Sequence, residues 1–241
     1  MKKITLVAAL VLGLFSAQAQ SNTGLEIGLK VSPSISTNRV VAPSTFNMEK
    51  YGSKPRFGIG LVLDYFFSEN YAFSTGLEYA MKGAAVKYSQ LSSNTNGNSP
   101  RTITNTRPVD EFNVQYLQIP VGFKLYTNEV TTDMRIYFQL GTSLNARISG
   151  TLNGDKFYKD EFSGEDVKAY KRFNIFEADA VIGTGIELQL GSNTKVFGGV
   201  SYHRGLTDID NYYEDYYKDF SNSKDIAIKT GTIALDLGLK F

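Results

Sequence analysis

Residues 231–241 read GTIALDLGLKF, so that Ile233, Leu235, Leu237, Leu239 and Phe241 fall on one side of an extended backbone. Ala234, Asp236, Gly238 and Lys240 fall on the other. A period of two held to the last residue predicts a strand. A uniformly apolar face set against small and charged residues predicts lipid on the outside and a polar lumen on the inside.

Seven earlier segments repeat the pattern: residues 24–31, 56–66, 71–82, 112–126, 134–148, 173–190 and 195–205. In the second, Phe57, Ile59, Leu61, Leu63 and Tyr65 oppose Gly58, Gly60, Val62 and Asp64. In the sixth, Ala178, Ala180, Ile182 and Ile186 oppose Glu177, Asp179, Gly183, Gly185 and Glu187. The fourth loses parity, because Phe112 and Val114 do not share the face of Leu117, Ile119, Val121, Phe123 and Leu125. That predicts a bulge near Tyr116 or a strand extension beyond the membrane. Pro120 has no N–H for the ladder and marks a second irregularity.

The connections alternate. Long polar stretches run to about Lys54 and over residues 83–111, 149–172 and 206–225, with short turns at 67–70, 127–133 and 191–193. The 83–111 stretch contains SSNTNGNSP and reads as a mobile loop. Together these predict an all-β, eight-stranded, antiparallel up-and-down transmembrane β-barrel with short periplasmic turns and long extracellular loops. The first and last strands must pair, since an open sheet edge is not tolerated in lipid. A soluble eight-stranded barrel has no reason to sort its loops by length and would turn its apolar face inward.

Composition changes the picture in four places. Residues 1–19 read as a cleaved signal peptide: Lys2 and Lys3 precede a short apolar run, and Ala17-Gln18-Ala19 gives a small-x-small site before Gln20. The remaining 20–241 suits one barrel domain. With 25 Lys and Arg against 24 Asp and Glu, the net charge of +1 gives no basic footprint for nucleic acid. The absence of Cys removes disulfides, thiolate metal sites and thiol nucleophiles, and also a lipid-anchored lipoprotein. Fifteen Tyr and 16 Phe are enough to build interfacial girdles.

The signal peptide, the alternating strands, the motif Tyr116-Leu117-Gln118-Ile119-Pro120-Val121-Gly122-Phe123 and the close Gly238-Leu239-Lys240-Phe241 resemble the small outer-membrane β-barrel family labelled "porin family" or outer membrane protein beta-barrel domain. The resemblance covers the mature chain. It implies a Gram-negative outer-membrane location, contact with outer-membrane lipid, and recognition of the terminal strand ending in Phe241 by the assembly machinery. Pores, scaffolds and accessory parts of secretion machines all occur on such a fold, so it does not choose a function.

The chemistry available to the interior is charge. Glu26, Lys30, Asp64, Glu78, Lys82, Lys124, Arg135, Arg147, Glu177, Asp179, Glu187, Asp236 and Lys240 are all expected to point inward. An eight-stranded cylinder has room for side chains and little else, so mutual pairing into a plug is expected ahead of a selective aqueous path. Ser201 and His203 share a face and are the one pair that suggests catalysis, on the pattern of a lipid A acyl hydrolase. Their side is the lumen, away from acyl chains, and no nucleophile motif surrounds Ser201. Asp208, Asp210 and Asn211 begin like a calcium loop, but Tyr213 stands where that loop needs Gly. Glu214, Asp215 and Asp219, interleaved with Tyr212, Tyr213, Tyr216 and Tyr217, read either as a contact surface for an extracellular protein or glycan or as a solvated loop with interfacial aromatics. No catalytic, cofactor-binding or metal-binding residue is assigned. The expected role is structural or partner-binding, as a monomer, with a passive pore next and the Ser201/His203 hydrolase third.

Overall fold

A computed structural model describes residues 24–92, 102–160, 164–220 and 223–241. The expected signal peptide and the middle of the 83–111 loop lie outside them. Twelve strands form among the described residues: β1 (Gly24–Val41), β2 (Glu49–Tyr51), β3 (Lys54–Ser68), β4 (Tyr71–Lys82), β5 (Ala85–Lys87), β6 (Val109–Tyr126), β7 (Met134–Leu152), β8 (Phe157–Lys159), β9 (Asp166–Lys168), β10 (Phe176–Gln189), β11 (Lys195–Gly205) and β12 (Ala227–Lys240).

The long strands β1, β3, β4, β6, β7, β10, β11 and β12 pair antiparallel in that order, and β12 pairs back onto β1 from Gly28↔Lys240 to Val41↔Ala227. The sheet is therefore a closed eight-stranded barrel with no free edge in the membrane. Its short turns lie at the end that holds Gly24 and Phe241, and its four long connections at the other. Outward positions carry Leu29, Ile35, Leu140, Leu144, Ile182 and Ile233, each more than half exposed in the absence of lipid. Tyr65, Phe67 and Tyr71 ring the turn end, while Phe57, Phe176 and Tyr202 lie toward the long loops, as interfacial aromatics do.

The register of β6 against β7 shifts between Gln115 and Tyr116, the bulge that the loss of parity foretold. Pairing of β4 with β6 is interrupted at Gly76–Leu77, opposite Ile119–Pro120. The interior is narrow enough that glycines decide what fits. Gly185 and Gly199 back onto the Tyr137 hydroxyl, and a Cβ at Gly238 would collide with the Phe197 ring and the Leu29 carbonyl.

The long connections differ from expectation. β1 runs on to Val41, β6 begins at Val109 and β7 ends at Leu152, so the strands project beyond the apolar belt. Beyond the belt neither face needs to be apolar, and the alternation that marks a strand in the sequence fades. β2 and β5 extend the sheet from β6, and β8 with β9 forms a separate hairpin in the third loop. The 83–111 stretch is a packed element in its described part: Val86, Tyr88 and Leu91 are buried.

Candidate functional site

Alternation along all eight strands turns polar side chains inward, and the narrow cylinder brings them into contact in three layers. Nearest the turns, Lys240 Nζ lies 2.7 Å from Asp64 and 3.4 Å from Glu26, and also meets Glu187. Lys124 reaches Asp64 at 2.9 Å, and Lys195 reaches Glu26 at 2.5 Å. Phe66, Tyr126, Tyr137 and Phe197 pack around these ammonium groups. Lys240 sits 5.4 Å from the Tyr126 centroid and Lys124 5.5 Å from that of Tyr137, within cation–π range.

In the middle layer, Lys30 meets Glu78 at 2.6 Å and Asp236 at 3.4 Å, and Asp236 accepts hydrogen bonds from Ser32 and Ser201, both at 2.6 Å. In the upper layer, Lys82 pairs with Asp179 and lies 3.5 Å from Glu177. Asp179 also accepts from Ser143 at 2.9 Å and Asn145 at 3.0 Å, and Glu177 accepts from Thr230. Two internal spaces of about 30 Å³ lie beside these layers, bordered by Lys30, Glu78, His203 and Asp236. Each has room for about two waters.

Eleven of the thirteen charges expected inside join these layers. Arg135 and Arg147 do not. Arg135 lies at the turn end and donates to the Thr127 carbonyl at 3.1 Å and to that of Glu69; Arg147 lies at the loop end and donates to the carbonyls of Tyr170 and Phe173. Parity assigns both to the inner face, but each is within a few residues of a rim, where backbone carbonyls of the connections are nearer than any lumen carboxylate.

Ser201 and His203 are brought together, with Ser201 Oγ 3.3 Å from His203 Nε2. The order of contacts is wrong for a hydrolytic triad. The carboxylate of Asp236 holds the serine, while His203 Nδ1 has no partner, so no acid orients the imidazole from its far side. Both residues are buried inside the barrel, away from the acyl chains outside it.

Above the upper layer the long connections fold into one cap. Phe46 from the first, Val86, Tyr88 and Leu91 from the second, Ala169 and Phe173 from the third, and Ile209, Tyr213, Tyr216, Tyr217 and Ile226 from the fourth form one buried cluster. It rests on Phe112, Val114, Tyr116 and Ile228 of the barrel strands. Tyr217 stacks on Phe46 with centroids 4.4 Å apart, and Tyr88 meets Tyr213 edge-on at 5.0 Å. Tyr213, Tyr216 and Tyr217 are thus core residues of the cap, neither a free contact surface nor an interfacial girdle. The helix Tyr212–Tyr216 that carries two of them turns them inward.

The cap has an ionic centre that sequence reading missed. Arg172 is buried and donates from Nε to Asp210 at 2.7 Å and from Nη1 to Asp110 at 2.9 Å; Tyr213 donates to the same Asp110 oxygen at 2.9 Å. Its guanidinium lies over the rings of Tyr212 at 4.1 Å and Tyr213 at 4.6 Å. Burial alone would lower the Arg172 pKa, but Asp210, Tyr213 and Asp110 hold it above its ordinary value. One side chain therefore ties the second, third and fourth connections together. Asp210 belongs to this clamp, not to a calcium loop, and among the described residues no group of His, Cys, Asp or Glu is arranged to hold a metal.

Asp208 adds a pH dependence. It accepts from the Ile228 N–H at 2.8 Å and the Asp210 N–H at 3.2 Å, yet burial pushes its carboxyl up to about 6. Between its ordinary value, about 4, and about 6, the closed cap binds more protons than the opened one. Cap stability from this group is therefore full at acid pH and falls as pH rises through that window. Asp208→Asn keeps the acceptor and removes the charge. It should leave the cap unchanged at about pH 3, below both values, and stabilise it at pH 7.5, read as the melting of the near-ultraviolet tyrosine signal; parallel pH profiles for the two proteins would refute this.

A closed antiparallel barrel with an apolar outer belt, aromatic girdles, a charged lumen, short turns at one end and long connections at the other defines a transmembrane barrel of the outer-membrane type. The chain belongs to the family described as outer membrane protein beta-barrel domain, whose model matches residues 17–211, and it is an outer-membrane protein. No curated protein matches it. Among solved structures it is similar to Neisserial surface protein A, at 11% identity over 92% of this chain and 98% of that one, with a TM-score of 0.48. It is also similar to Ail of Yersinia pestis, at 12% identity over 90% and 99% with a TM-score of 0.41, and to OprG of Pseudomonas aeruginosa, at 11% over 93% and 99% with a TM-score of 0.41.

Proposed function

We propose that this barrel is a closed anchor whose work is done by its extracellular cap, as a structural or partner-binding element of the envelope. The observation that carries the reading is the lumen. Three layers of paired charges and an aromatic layer cross it beneath a packed cap, which leaves no role for a through-path. Rigid display is what such a plug supplies, because paired buried charges hold strand register. The β8–β9 hairpin and β2 carry Phe157 and Tyr51, each about half exposed, on ordered elements where a protein or glycan could dock. Full pairing of the sheet supports a monomer, and the apolar terminal strand ending in Phe241 supports recognition by the assembly machinery.

The competing reading is a passive pore. Single-channel recording in planar bilayers separates the two once folding has been confirmed by a heat-dependent gel shift. The refolded protein should show no discrete conductance steps; reproducible steps would mean a hydrated lumen and would replace the anchor with a pore.

A further inference from the structure

The outer face of the barrel carries a second charge cluster, distinct from the lumen. Arg39 on β1, Lys229 on β12 and Arg204 on β11 occupy outward positions on three adjacent strands. Arg39 is registered directly against Lys229, and Arg204 against Gly231. Like charges directly opposite one another are destabilising unless something neutralises them. Here the fold gathers them: Arg39 Nη2 donates to the Gly205 carbonyl at 3.2 Å and Lys229 Nζ to the Leu206 carbonyl at 2.7 Å, which draws both heads to the end of the strand that bears Arg204. None of the three meets a carboxylate among the described residues. Other cations of the same rim do: Lys54 meets Glu111 at 2.5 Å, Arg107 meets Glu49 at 3.2 Å, and Arg172 meets two aspartates.

Height on the barrel indicates what the missing anion is. Ile233, Val200 and Ile35 lie in the lipid belt, with Tyr202 at its upper margin. Arg204 lies two residues past Tyr202, about 7 Å along the strand at about 3.3 Å per residue. That is the level of lipid headgroups. Gly231, registered between Thr37 and Arg204, is itself buried, and a Cβ on it would touch the Thr37 methyl at 3.5 Å and the Tyr202 hydroxyl at 3.7 Å, which places both side chains beside the cluster. Thr37, Tyr202 and the three cations thus share one patch of the outer face, above the acyl chains.

We propose that this cationic patch seats the phosphorylated headgroup of an outer-leaflet lipid, with the acyl chains running down the Ile35, Ile233 and Val200 face. A phosphate accepts charge-assisted hydrogen bonds from guanidinium and ammonium groups together, and its charge relieves the Arg39–Lys229 opposition.

The test uses the full chain refolded in phosphatidylcholine nanodiscs doped with lipid A or with lipid A stripped of its phosphates, and native mass spectrometry to read retained lipid. The wild type should retain phosphorylated lipid A and not the dephosphorylated form. The variant carrying Arg39→Gln, Arg204→Gln and Lys229→Gln should retain about tenfold less, as expected for loss of charge-assisted contacts. Arg204→Gln alone, which removes no hydrogen bond of the fold, should give a partial loss from a barrel whose heat-dependent gel shift is unchanged. Equal retention by the triple variant, or equal retention of dephosphorylated lipid, would overturn the proposal. So would capture of inorganic phosphate without retention of lipid A, which would assign the patch to a soluble anion.

Discussion

Arg172→Met should open the extracellular cap while leaving the barrel folded. The guanidinium is buried and is the ion-pair partner of both Asp210 and Asp110, so its loss strands two carboxylates in a hydrophobic cluster. Breaking a buried pair from one side typically costs about 3–5 kcal/mol, far more than the net worth of the intact pair. The cap has few other connections of that strength. The cost should therefore appear as local opening, read as loss of the near-ultraviolet tyrosine signal and new protease cleavage within residues 206–226. The heat-dependent gel shift should persist, because the lumen layers below are untouched. Adding Asp110→Asn and Asp210→Asn to the same chain removes the stranded charges and should return most of the protection. A cap as resistant in Arg172→Met as in the wild type would show that the aromatic cluster holds it without the clamp.

How much of this was legible in the sequence follows from which solvent each residue meets. Within the bilayer the outer face must be apolar at every second position, so the eight spanning strands, their facing and the parity slip at Tyr116 could be read directly. Above the bilayer that constraint ends. The upper half of β1 and the last four residues of β7, where polar residues occupy both faces, read as loop although the backbone stays extended. The lumen charges were legible as a set because parity gives their side. Their partners were not, since pairs such as Lys30 with Asp236 depend on stagger around a closed cylinder and join residues at opposite ends of the chain. Parity gives no height, so it assigns Arg135 and Arg147 to the inside although each binds carbonyls at a rim. The cap was hidden for a different reason. Its core is assembled from single aromatic or apolar residues scattered through four polar connections, and no local pattern distinguishes Tyr217 in that core from a tyrosine on the surface. Arg172 was one basic residue in a charged stretch, and only the closeness of Asp110 and Asp210 in space sets it apart.

Within the lumen, Lys82→Met should be more damaging than Lys124→Met, although both remove one buried ammonium. Asp64 keeps Lys240 at 2.7 Å when Lys124 is lost. Glu177 and Asp179 pair with Lys82 alone, and they lie two residues apart on the inner face of β10. Without it, two buried acids repel each other with neutral donors such as Ser143, Asn145 and Thr230 in attendance. A loss of about 3–5 kcal/mol is expected for Lys82→Met, and a smaller one for Lys124→Met. Urea unfolding in lipid vesicles, followed by the gel shift, would give both. Combining Lys82→Met with Glu177→Gln and Asp179→Asn replaces the upper layer by neutral groups of similar shape and should recover most of that loss, since a neutral isostere of a buried ion pair is often no less stable. If the combined variant stayed as unstable as Lys82→Met, the loss would lie in the ammonium's contact with the Tyr116 ring, 5.5 Å from it, rather than in the two stranded acids. If it recovered and still conducted no ions, closure of the barrel would rest on side-chain volume and the cap, with the charges serving to fix which strands face which.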